Sequence, residues 1–229
     1  MKIGILITGH PPENLIEEFG NYGDMFAQLL EDKNFTFSTY TVLENTFPKL
    51  NDCDGYIITG SKFGVYDDLT WIPRLEEFIR NCFNTAIPIA GFCFGHQIIA
   101  QAMGGVVEKF SNGWDVGYKT YALESSLKSE KISVMAWHQD QVIKKPKNSE
   151  IIASSDFCKI AGLAYGKTGL SLQSHPEYNS TFLKGLMRER GSVLPKKAKE
   201  GFYENIDLPL STGRVTDMIK TFFKTNNNE

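Results

Sequence analysis

A short apolar stretch runs directly into a helical pattern at residues 91–97, and no other stretch constrains the possible fold as strongly. The junction reads Gly-Phe-Cys-Phe-Gly-His-Gln, and the helical pattern after it ends at a pair of glycines. A tight strand-to-helix turn of the form G-x-C-x-G needs small residues on both sides of its centre, and Gly91 and Gly95 supply them. Because such a turn raises its central side chain above the carboxyl edge of a sheet, the sequence predicts a nucleophile at Cys93.

The position of Cys93 at the start of a helix also favours reactivity. Unpaired N–H groups and the helix dipole at that end stabilise a thiolate relative to a thiol. The alternative is a buried structural cysteine beside two turn glycines, which is the common environment of a lone cysteine. The strand before the turn and the helix after it favour the nucleophile.

Length and composition indicate a globular protein. The 229 residues fit one domain spanning 1–229, with 41% of them hydrophobic, 22% charged and a net charge of −3. That charge gives no reason to expect binding to nucleic acid or to an acidic membrane surface. No apolar run reaches the length that spans a membrane, and the N-terminus lacks the features of a signal peptide.

The four cysteines are scattered, at positions 53, 82, 93 and 158, without a C-x-x-C pair. This spacing indicates neither a zinc site nor a disulfide framework. Free thiols favour a reducing compartment, so we expect a cytoplasmic protein. Because no phosphate loop of the G-x-x-x-x-G-K-S/T type is present, we expect no ATP site, and we expect no metal or other cofactor.

Strand-like and helical patterns alternate over the first hundred residues. Strands are predicted at 3–7, 35–42, 54–60 and 87–90, and helices at 15–30, at 71–83 and directly after Cys93. This alternation predicts a mostly parallel, doubly wound sheet covered by helices, which is an α/β fold.

The pattern changes after Gly105 to short strands separated by turns. These strands are predicted at 106–109, 117–123, 132–137, 150–154, 160–164 and 169–173. The run predicts a small added antiparallel sheet, with the last strand returning to the main sheet. Helices are predicted at 180–189, 195–203 and 212–223, the last two within a C-terminal helical extension of about 190–225, and residues 225–229 are expected to fray.

A second motif, Ser-His-Pro-Glu at 174–177, follows the last predicted strand. A thiolate nucleophile needs a base to carry its proton, and the base needs an acceptor that fixes its tautomer. Pro176 keeps the backbone extended, so that Glu177 can hold one ring N–H of His175 while the other nitrogen faces Cys93. Alone, the motif would suggest a loop histidine and a surface glutamate. Downstream of a nucleophile turn, it predicts a triad of Cys93, His175 and Glu177.

With both motifs in this order, the sequence resembles the class I, or triad, glutamine amidotransferases. The resemblance covers roughly residues 1–180 and is strongest in the two motifs. It implies a flavodoxin-like fold and hydrolysis of the side-chain amide of glutamine. Cys93 would form a γ-glutamyl thioester, His175 would protonate the departing ammonia, and water would release glutamate.

The resemblance also assigns groups around the triad. Two backbone N–H groups would bind the oxyanion, that of Phe94 and one from the turn formed by Gly60 and Ser61. Gln97 matches a glutamine in the elbow helix that contacts the substrate, and a polar helix face explains it as well.

Two further segments match more loosely. Asn112-Gly113-Trp114 resembles a segment whose backbone binds the α-amino and α-carboxyl groups of glutamine, and a turn between strands explains its glycine equally well. His138, in the stretch His-Gln-Asp-Gln-Val, resembles a residue that lines the pocket, and we rank it below His175.

The loop at 59–67 indicates a branch of the family. It reads Thr-Gly-Ser-Lys-Phe-Gly-Val-Tyr-Asp instead of the Gly-Gly-Pro version typical of biosynthetic members. Together with residues 114–117 and 138–142, this loop resembles the stand-alone branch related to the amidotransferase domain of GMP synthase. That branch also includes plant γ-glutamyl peptidases. Three functions stay open: a glutamine-hydrolysing amidotransferase, with or without a separate ammonia-accepting synthetase; a γ-glutamyl peptidase acting on glutathione-like compounds; and a regulatory homologue without turnover.

Overall fold

The computed structural model of the chain describes residues 1–124 and 130–226, so the predicted frayed end lies partly outside the described residues, at 227–229. The strands are β1 (Lys2–Ile7), β2 (Thr36–Thr41), β3 (Gly55–Ile58), β4 (Ile89–Phe92), β5 (Val106–Lys109), β6 (Asp115–Leu123), β7 (Glu130–His138), β8 (Asp140–Lys144), β9 (Glu150–Ser154), β10 (Gly162–Tyr165) and β11 (Gly169–Leu172). The helices are α1 (Glu13–Phe19), α2 (Tyr22–Leu29), α3 (Trp71–Asn84), α4 (Phe94–Ala102), α5 (Ser180–Arg190), α6 (Lys196–Lys199) and α7 (Thr212–Thr225).

The main sheet of the described residues has nine strands in the order β2-β1-β3-β4-β11-β10-β9-β6-β7. Neighbouring strands run parallel from β2 to β11 and antiparallel from β11 to β7. β5 and β8 form a separate two-stranded antiparallel sheet. The predicted fold class, an α/β fold with a small added antiparallel sheet, is confirmed.

The strands after β4 are distributed differently from the prediction. We expected the short strands before β11 to form the added sheet, but β6, β7, β9 and β10 extend the main sheet beyond β11. Only β5 of that run pairs outside the main sheet, and its partner β8 was not predicted as a strand. The physical reason is that β11 would otherwise leave an open edge of unpaired backbone groups, which β10 and the strands after it satisfy.

The predicted helix at 15–30 is divided into α1 and α2. Gly20 has a φ of 75°, a left-handed conformation that favours glycine, and it ends α1. Asn21 then caps α2, because its side chain accepts hydrogen bonds from the N–H groups of Gly23 and Asp24. The Asp24 carboxylate accepts the Asn21 N–H in return, which completes a capping box.

Helices cover both faces of the parallel half of the sheet. Ile3, Ile5 and Ile7 of β1 pack with residues of α2 and α7, whereas Leu6 packs on the opposite face with residues of α3 and α4. Every residue of β3 and β4 is buried. This burial on both faces is typical of parallel strands in doubly wound folds.

The C-terminal extension is helical only in part. The predicted helix at 195–203 is reduced to α6, and a short 3-10 turn, Gly191–Val193, precedes it. Gly201, a poor helix former, lies just beyond the end of α6. α7 packs its apolar side against the sheet, and α5 packs with α1 over β6 and β7. No helix in the described part of the chain has the length and apolar character needed to cross a membrane.

The carboxyl ends of β3, β4 and β11 lie side by side, because these strands are consecutive neighbours in the sheet. Gly60 follows β3, Cys93 follows β4, and His175 follows β11. Open α/β sheets bind their ligands outside the carboxyl ends of the strands. The topology therefore brings the two sequence motifs to one edge of the sheet.

Candidate active site

Cys93 joins β4 to α4 in a conformation that L-residues rarely adopt. Its φ is 53° and its ψ is −105°, and its N–H donates to the Leu172 carbonyl of β11 at 2.9 Å. A Cβ on Gly91 would collide with the Gly95 carbonyl, and a Cβ on Gly95 would collide with the Ile58 carbonyl. Both glycines are therefore required by close backbone packing, and the strained turn holds the sulfur at the sheet edge.

His175 and Glu177 form a buried, hydrogen-bonded pair. Glu177 Oε1 lies 2.7 Å from His175 Nδ1, and the two side chains are 0% and 3% exposed, respectively. The backbone N–H of His175 donates to the Met135 carbonyl of β7 at 2.8 Å, which fixes this loop against the sheet. The carboxylate holds Nδ1 and leaves Nε2 for another partner.

The imidazole of His175 and the side chain of Cys93 meet beside Gly60. A Cβ on Gly60 would lie 2.8 Å from His175 Cε1 and 3.7 Å from Cys93 Cβ. Burial alone would lower the pKa of His175, but the negative charges of Cys93 and Glu177, together with hydrogen bonds to both, raise this pKa to about 10. The site therefore favours the imidazolium, which is the form that accompanies a thiolate.

A cavity of about 570 Å³ opens above these residues, within the range of about 300–1,000 Å³ typical of small-molecule sites. Cys93 and His175 both line it, at 6% and 2% exposure. Four further predicted site residues also line it: Ser61, Gln97, Trp114 and His138. Across residues 1–124 and 130–226, no three His, Cys, Asp or Glu side chains converge closely enough to hold a metal ion.

Asn112 and Gly113 lie outside the cavity wall. Asn112 is exposed, and Gly113, with a φ of 97°, forms a turn in which its N–H donates to the Phe110 carbonyl at 3.1 Å. Trp114 reaches the cavity, with its ring packed edge-on against Trp137. The need for a turn explains Gly113, and the contact of Asn112 and Gly113 with a substrate stays a prediction.

Hydrogen bonds to the Gly60 carbonyl fix the orientation of the peptide between Gly60 and Ser61. The Gly60 carbonyl accepts hydrogen bonds from the hydroxyls of Thr8 at 3.1 Å and Thr59 at 3.3 Å. Because this peptide is trans and planar, the Ser61 N–H points in the opposite direction. Within the described residues, neither the Gly60 N–H nor the Ser61 N–H has an acceptor. The turn thus carries the kind of backbone donors that bind an oxyanion.

Phe94 is the first residue of α4, where backbone N–H groups lack helical partners, whereas the Gln97 N–H donates to the Cys93 carbonyl at 3.1 Å. The side-chain amide of Gln97 donates to the Asp140 carbonyl at 2.8 Å and to Gln173 Oε1 at 3.1 Å. With both amide protons used, Gln97 braces the cavity wall and keeps only its carbonyl oxygen as an acceptor.

His138 has a carboxylate neighbour that sequence spacing did not reveal. Asp115 faces it across the β6–β7 pair, with Oδ2 3.9 Å from His138 Nε2. Asp140, two residues after His138, offers its carbonyl to Nδ1 at 3.3 Å, while its carboxylate accepts from the Tyr66 hydroxyl. Burial lowers the pKa of His138 to about 4 despite Asp115, so this histidine is neutral near pH 7, unlike His175.

Tyr178, Tyr22 and Arg190 are among the cavity-lining residues that were not predicted from the sequence. Tyr178 directly follows the His-Pro-Glu motif, so its proximity could have been inferred from that position. Tyr22 begins α2, and Arg190 ends α5, where its Nη2 donates to the His10 carbonyl at 2.9 Å. These two reach the cavity only through helix packing, for which the sequence carried no local signal.

The fold and this site define an α/β protein with a strained cysteine turn and a buried histidine–carboxylate pair at the carboxyl edge of its sheet. The family model of class-I glutamine amidotransferases matches residues 19–190. The chain therefore belongs to the glutamine amidotransferase class-I family, which confirms the resemblance seen in its motifs.

Proteins similar to this chain have names that indicate different activities. Gamma-glutamyl peptidase 3 of Arabidopsis thaliana is 27% identical over 198 residues, which cover 80% of this chain and 79% of the relative. One subunit of the glutamine-hydrolyzing GMP synthase of Archaeoglobus fulgidus is 32% identical over 176 residues, covering 73% and 90%. The structure of a glutamine amido transferase from Methylobacillus flagellatus matches with a TM-score of 0.81 over 98% of this chain and 94% of its own. At 17% identity, that likeness shows the fold alone.

Proposed function

We propose that this protein hydrolyses γ-glutamyl amides, with Cys93 as nucleophile, His175 as acid and base, and Glu177 as the partner that orients His175. The observation that carries the proposal is the placement of Cys93, on a strained turn, beside an imidazole whose Nδ1 lies 2.7 Å from a buried carboxylate. An activated thiol, a proton carrier and an orienting acceptor are the groups that this chemistry needs. Membership of the family supports glutamine as the substrate.

The proposed reaction has two stages, formation and hydrolysis of a thioester. The Cys93 sulfur attacks the γ-carbonyl carbon, and the resulting oxyanion is bound by backbone N–H groups of Phe94 and of the Gly60–Ser61 turn. When the C–N bond breaks, His175 gives its proton to the departing nitrogen, so that ammonia leaves glutamine and a γ-glutamyl thioester stays on Cys93. His175 then takes a proton from water, which attacks the thioester and releases glutamate.

The test is glutamate release from glutamine by the purified protein and by Cys93→Ala. We expect the wild type to release glutamate and ammonia in equal amounts and the variant to show only background. Cys82→Ala removes a buried thiol on α3, away from the cavity, and is the matched control that should keep activity. Turnover by Cys93→Ala at the wild-type rate would refute the proposal.

A wild type that releases no glutamate leads to a second measurement, labelling by a glutamine-like alkylating agent. Labelling of Cys93 without turnover would indicate an amidotransferase that needs its separate ammonia-accepting synthetase. Absence of both turnover and labelling would leave the third function, a regulatory homologue.

Charges around the cavity favour a second candidate function, a γ-glutamyl peptidase acting on glutathione-like compounds. Lys62, Lys109 and Arg190 line the cavity, and none of them forms an ion pair with a carboxylate in the part of the chain that the structure describes. Asp67 and Asp140 in the same wall are each engaged in a hydrogen bond within it. Unpaired cations can bind the carboxylate of a peptide leaving group. The leaving group of glutamine is ammonia, which has no carboxylate.

Arg190→Gln separates the two candidate substrates. If Arg190 binds the carboxylate of the leaving group, its loss should raise the KM for glutathione about tenfold and leave the KM for glutamine unchanged. Arg188→Gln, an exposed position on the same helix and outside the cavity wall, is the control. An equal rise in KM for both substrates would place Arg190 at the glutamyl end of the cavity instead.

A further inference from the structure

The ring of Tyr178 lies flat against the imidazole of His175. The two ring centroids are 4.0 Å apart, and the planes differ by only 4°. Tyr178 is 3% exposed and His175 2%, so the contact is shielded from water. The face of an aromatic ring is electron-rich and attracts a cation, and desolvation strengthens this attraction.

Tyr178 is itself held by residues of two helices. Its hydroxyl donates to the Tyr22 hydroxyl at 3.0 Å, at the start of α2. The ring of Phe182, in α5, packs on it with a centroid distance of 4.4 Å. The tyrosine ring is thus enclosed by buried residues of α2 and α5, which leave it little room to move.

The hydrogen bond that His175 donates to Glu177 does not by itself fix the plane of the imidazole. It holds His175 at Nδ1, and a ring held at one atom can still tilt about that contact. Gly60 borders the edge of the ring at Cε1, and Tyr178 covers one face. The three contacts together restrict the imidazole to one orientation toward Cys93.

We propose that Tyr178 is a positioning residue, which holds the plane of the His175 imidazole and stabilises its protonated form through the ring face. The packing of the Tyr178 ring against Phe182, more than the hydroxyl bond to Tyr22, keeps it in this arrangement. The proposal rests on the proposed function, because His175 must be an acid and a base for its position to matter. Positioning by an adjacent ring needs no additional charged group in the site.

The other groups near His175 act through charge or hydrogen bonding. Cys93 and Glu177 are the acidic groups that stabilise the imidazolium, and His138 is a neighbouring histidine whose charge would oppose it. Burial raises the pKa of Tyr178 well above its ordinary value and that of Tyr22 to about 12. Both tyrosines are therefore neutral at physiological pH, and Tyr178 acts through its ring.

Tyr178→Leu and Tyr178→Phe separate the ring from the hydroxyl. The leucine variant removes the ring face, and the phenylalanine variant keeps it while losing the hydrogen bond to Tyr22. In the leucine variant we expect the pKa of His175 to fall by about half a unit to one unit and kcat to fall about tenfold, with KM within twofold. In the phenylalanine variant we expect the pKa of His175 to stay at its reference value and kcat and KM to stay within twofold of the wild type.

The pKa is measured by NMR titration of the His175 ring with Cys93→Ala present in every protein compared, because Cys93 itself raises this pKa. The Cys93→Ala protein with Tyr178 intact is the wild-type reference for the titration, which does not depend on turnover. If the wild type hydrolyses no γ-glutamyl compound, the proposed function fails while the titration still tests the stacking. Tyr203→Leu, at a 61% exposed position, controls for the substitution type. If Tyr178→Leu does not fold, it is replaced by Tyr178→Met, whose flexible unbranched side chain adapts better to the space left by the ring.

Two results would overturn the proposal. A leucine or methionine variant that folds and keeps the wild-type His175 pKa and kcat would show that the ring face contributes nothing. A phenylalanine variant as impaired as the leucine variant would assign the effect to the Tyr22 hydrogen bond instead of to the ring.

Discussion

Gly60 has no room for a side chain where it passes the imidazole of His175. A Cβ there would lie 2.8 Å from Cε1, so Gly60→Ala must displace either the ring or the turn. We expect kcat for glutamate release to fall about 100-fold, because small displacements of catalytic groups cost about that much. The urea midpoint should stay near that of the wild type.

Gly201→Ala is the control for this substitution, because the nearest atom to its Cβ would be Glu204 Oε2 at 3.7 Å. It should leave both activity and stability unchanged. Full activity in Gly60→Ala would show that the imidazole does not need its present position.

Glu177→Gln tests the charge behind His175. The carboxylate raises the pKa of His175, so its replacement by a neutral amide should lower that pKa, as measured by NMR titration of the ring. Since the amide also offers a poorer acceptor for the ring N–H, kcat should fall about 100- to 10,000-fold. Glu18→Gln, an exposed carboxylate on α1, is the control. An unchanged His175 pKa would contradict this role of Glu177.

Residues close in sequence were the predictable part of the site. The glycines around Cys93 and the pair at His175 and Glu177 can be read from short motifs whose spacing sets their geometry. Asp115 cannot be read in this way, because it reaches His138 through the pairing of two strands. The role of residues that meet across elements depends on packing, which short motifs do not encode.

Among the elements, α7 is the clearest example of a helix that stabilises the sheet from outside the family match at 19–190. Phe223 is fully buried and contacts the backbone near Gly55 at the start of β3. Phe223→Ala should lower the free energy of unfolding by about 3–5 kcal/mol, measured by urea denaturation. Phe222→Ala, at a partly buried position beside it, should cost clearly less. Equal losses would indicate that α7 does not pack as described.

Elements with strong periodicity were predicted to within a few residues, and those decided by single residues were not. α3 and α4 follow the predicted helices closely, because long apolar stripes define them. The division of α1 from α2 depends on the conformation of Gly20, and β8 exists because β5 offers it a partner. Contacts that form only in the folded chain determine where such helices end and which short strands form.

For the whole molecule, buried neutral histidines predict a loss of stability in mild acid. His96 is fully buried, with Nδ1 2.8 Å from Ser171 Oγ and Nε2 3.1 Å from the Ile160 carbonyl, and burial lowers its pKa to about 3. His138 has a pKa lowered to about 4. As the pH falls below about 6.5, the unfolded chain binds protons that the folded protein does not, so stability decreases.

The expected loss is about 1.6 kcal/mol per buried histidine between pH 6.5 and pH 5, measured by urea unfolding. The raised pKa of His175 acts in a different window, because its contribution is complete below pH 6.5 and is lost as the pH rises toward about 10. His138→Gln should remove about half of the acid slope, and His10→Gln, at an exposed position, should leave it intact. A stability independent of pH in this range would contradict the burial of neutral histidines.

The architecture of the molecule was predictable in its parallel half. Alternating strands and helices lead to a doubly wound sheet by general rules of chain connection. In the second half, short strands could be recognised, but their partners could not, since β6 pairs with both β7 and β9 across long stretches of chain. An antiparallel strand that extends a sheet has the same local sequence pattern as one that forms a new sheet, so the pattern does not identify its partner.

Cys93 and His175 follow the adjacent strands β4 and β11, so the backbone ladder between these strands sets the separation of sulfur and imidazole. The rim of the cavity comes from other parts of the chain, the loop after β3 and the end of α5. Heat inactivation should therefore coincide with cooperative melting of the sheet instead of preceding it. Under the proposed function, mutations at the rim would change the leaving-group preference during evolution while the Cys93 turn and the His175–Glu177 pair stay unaltered.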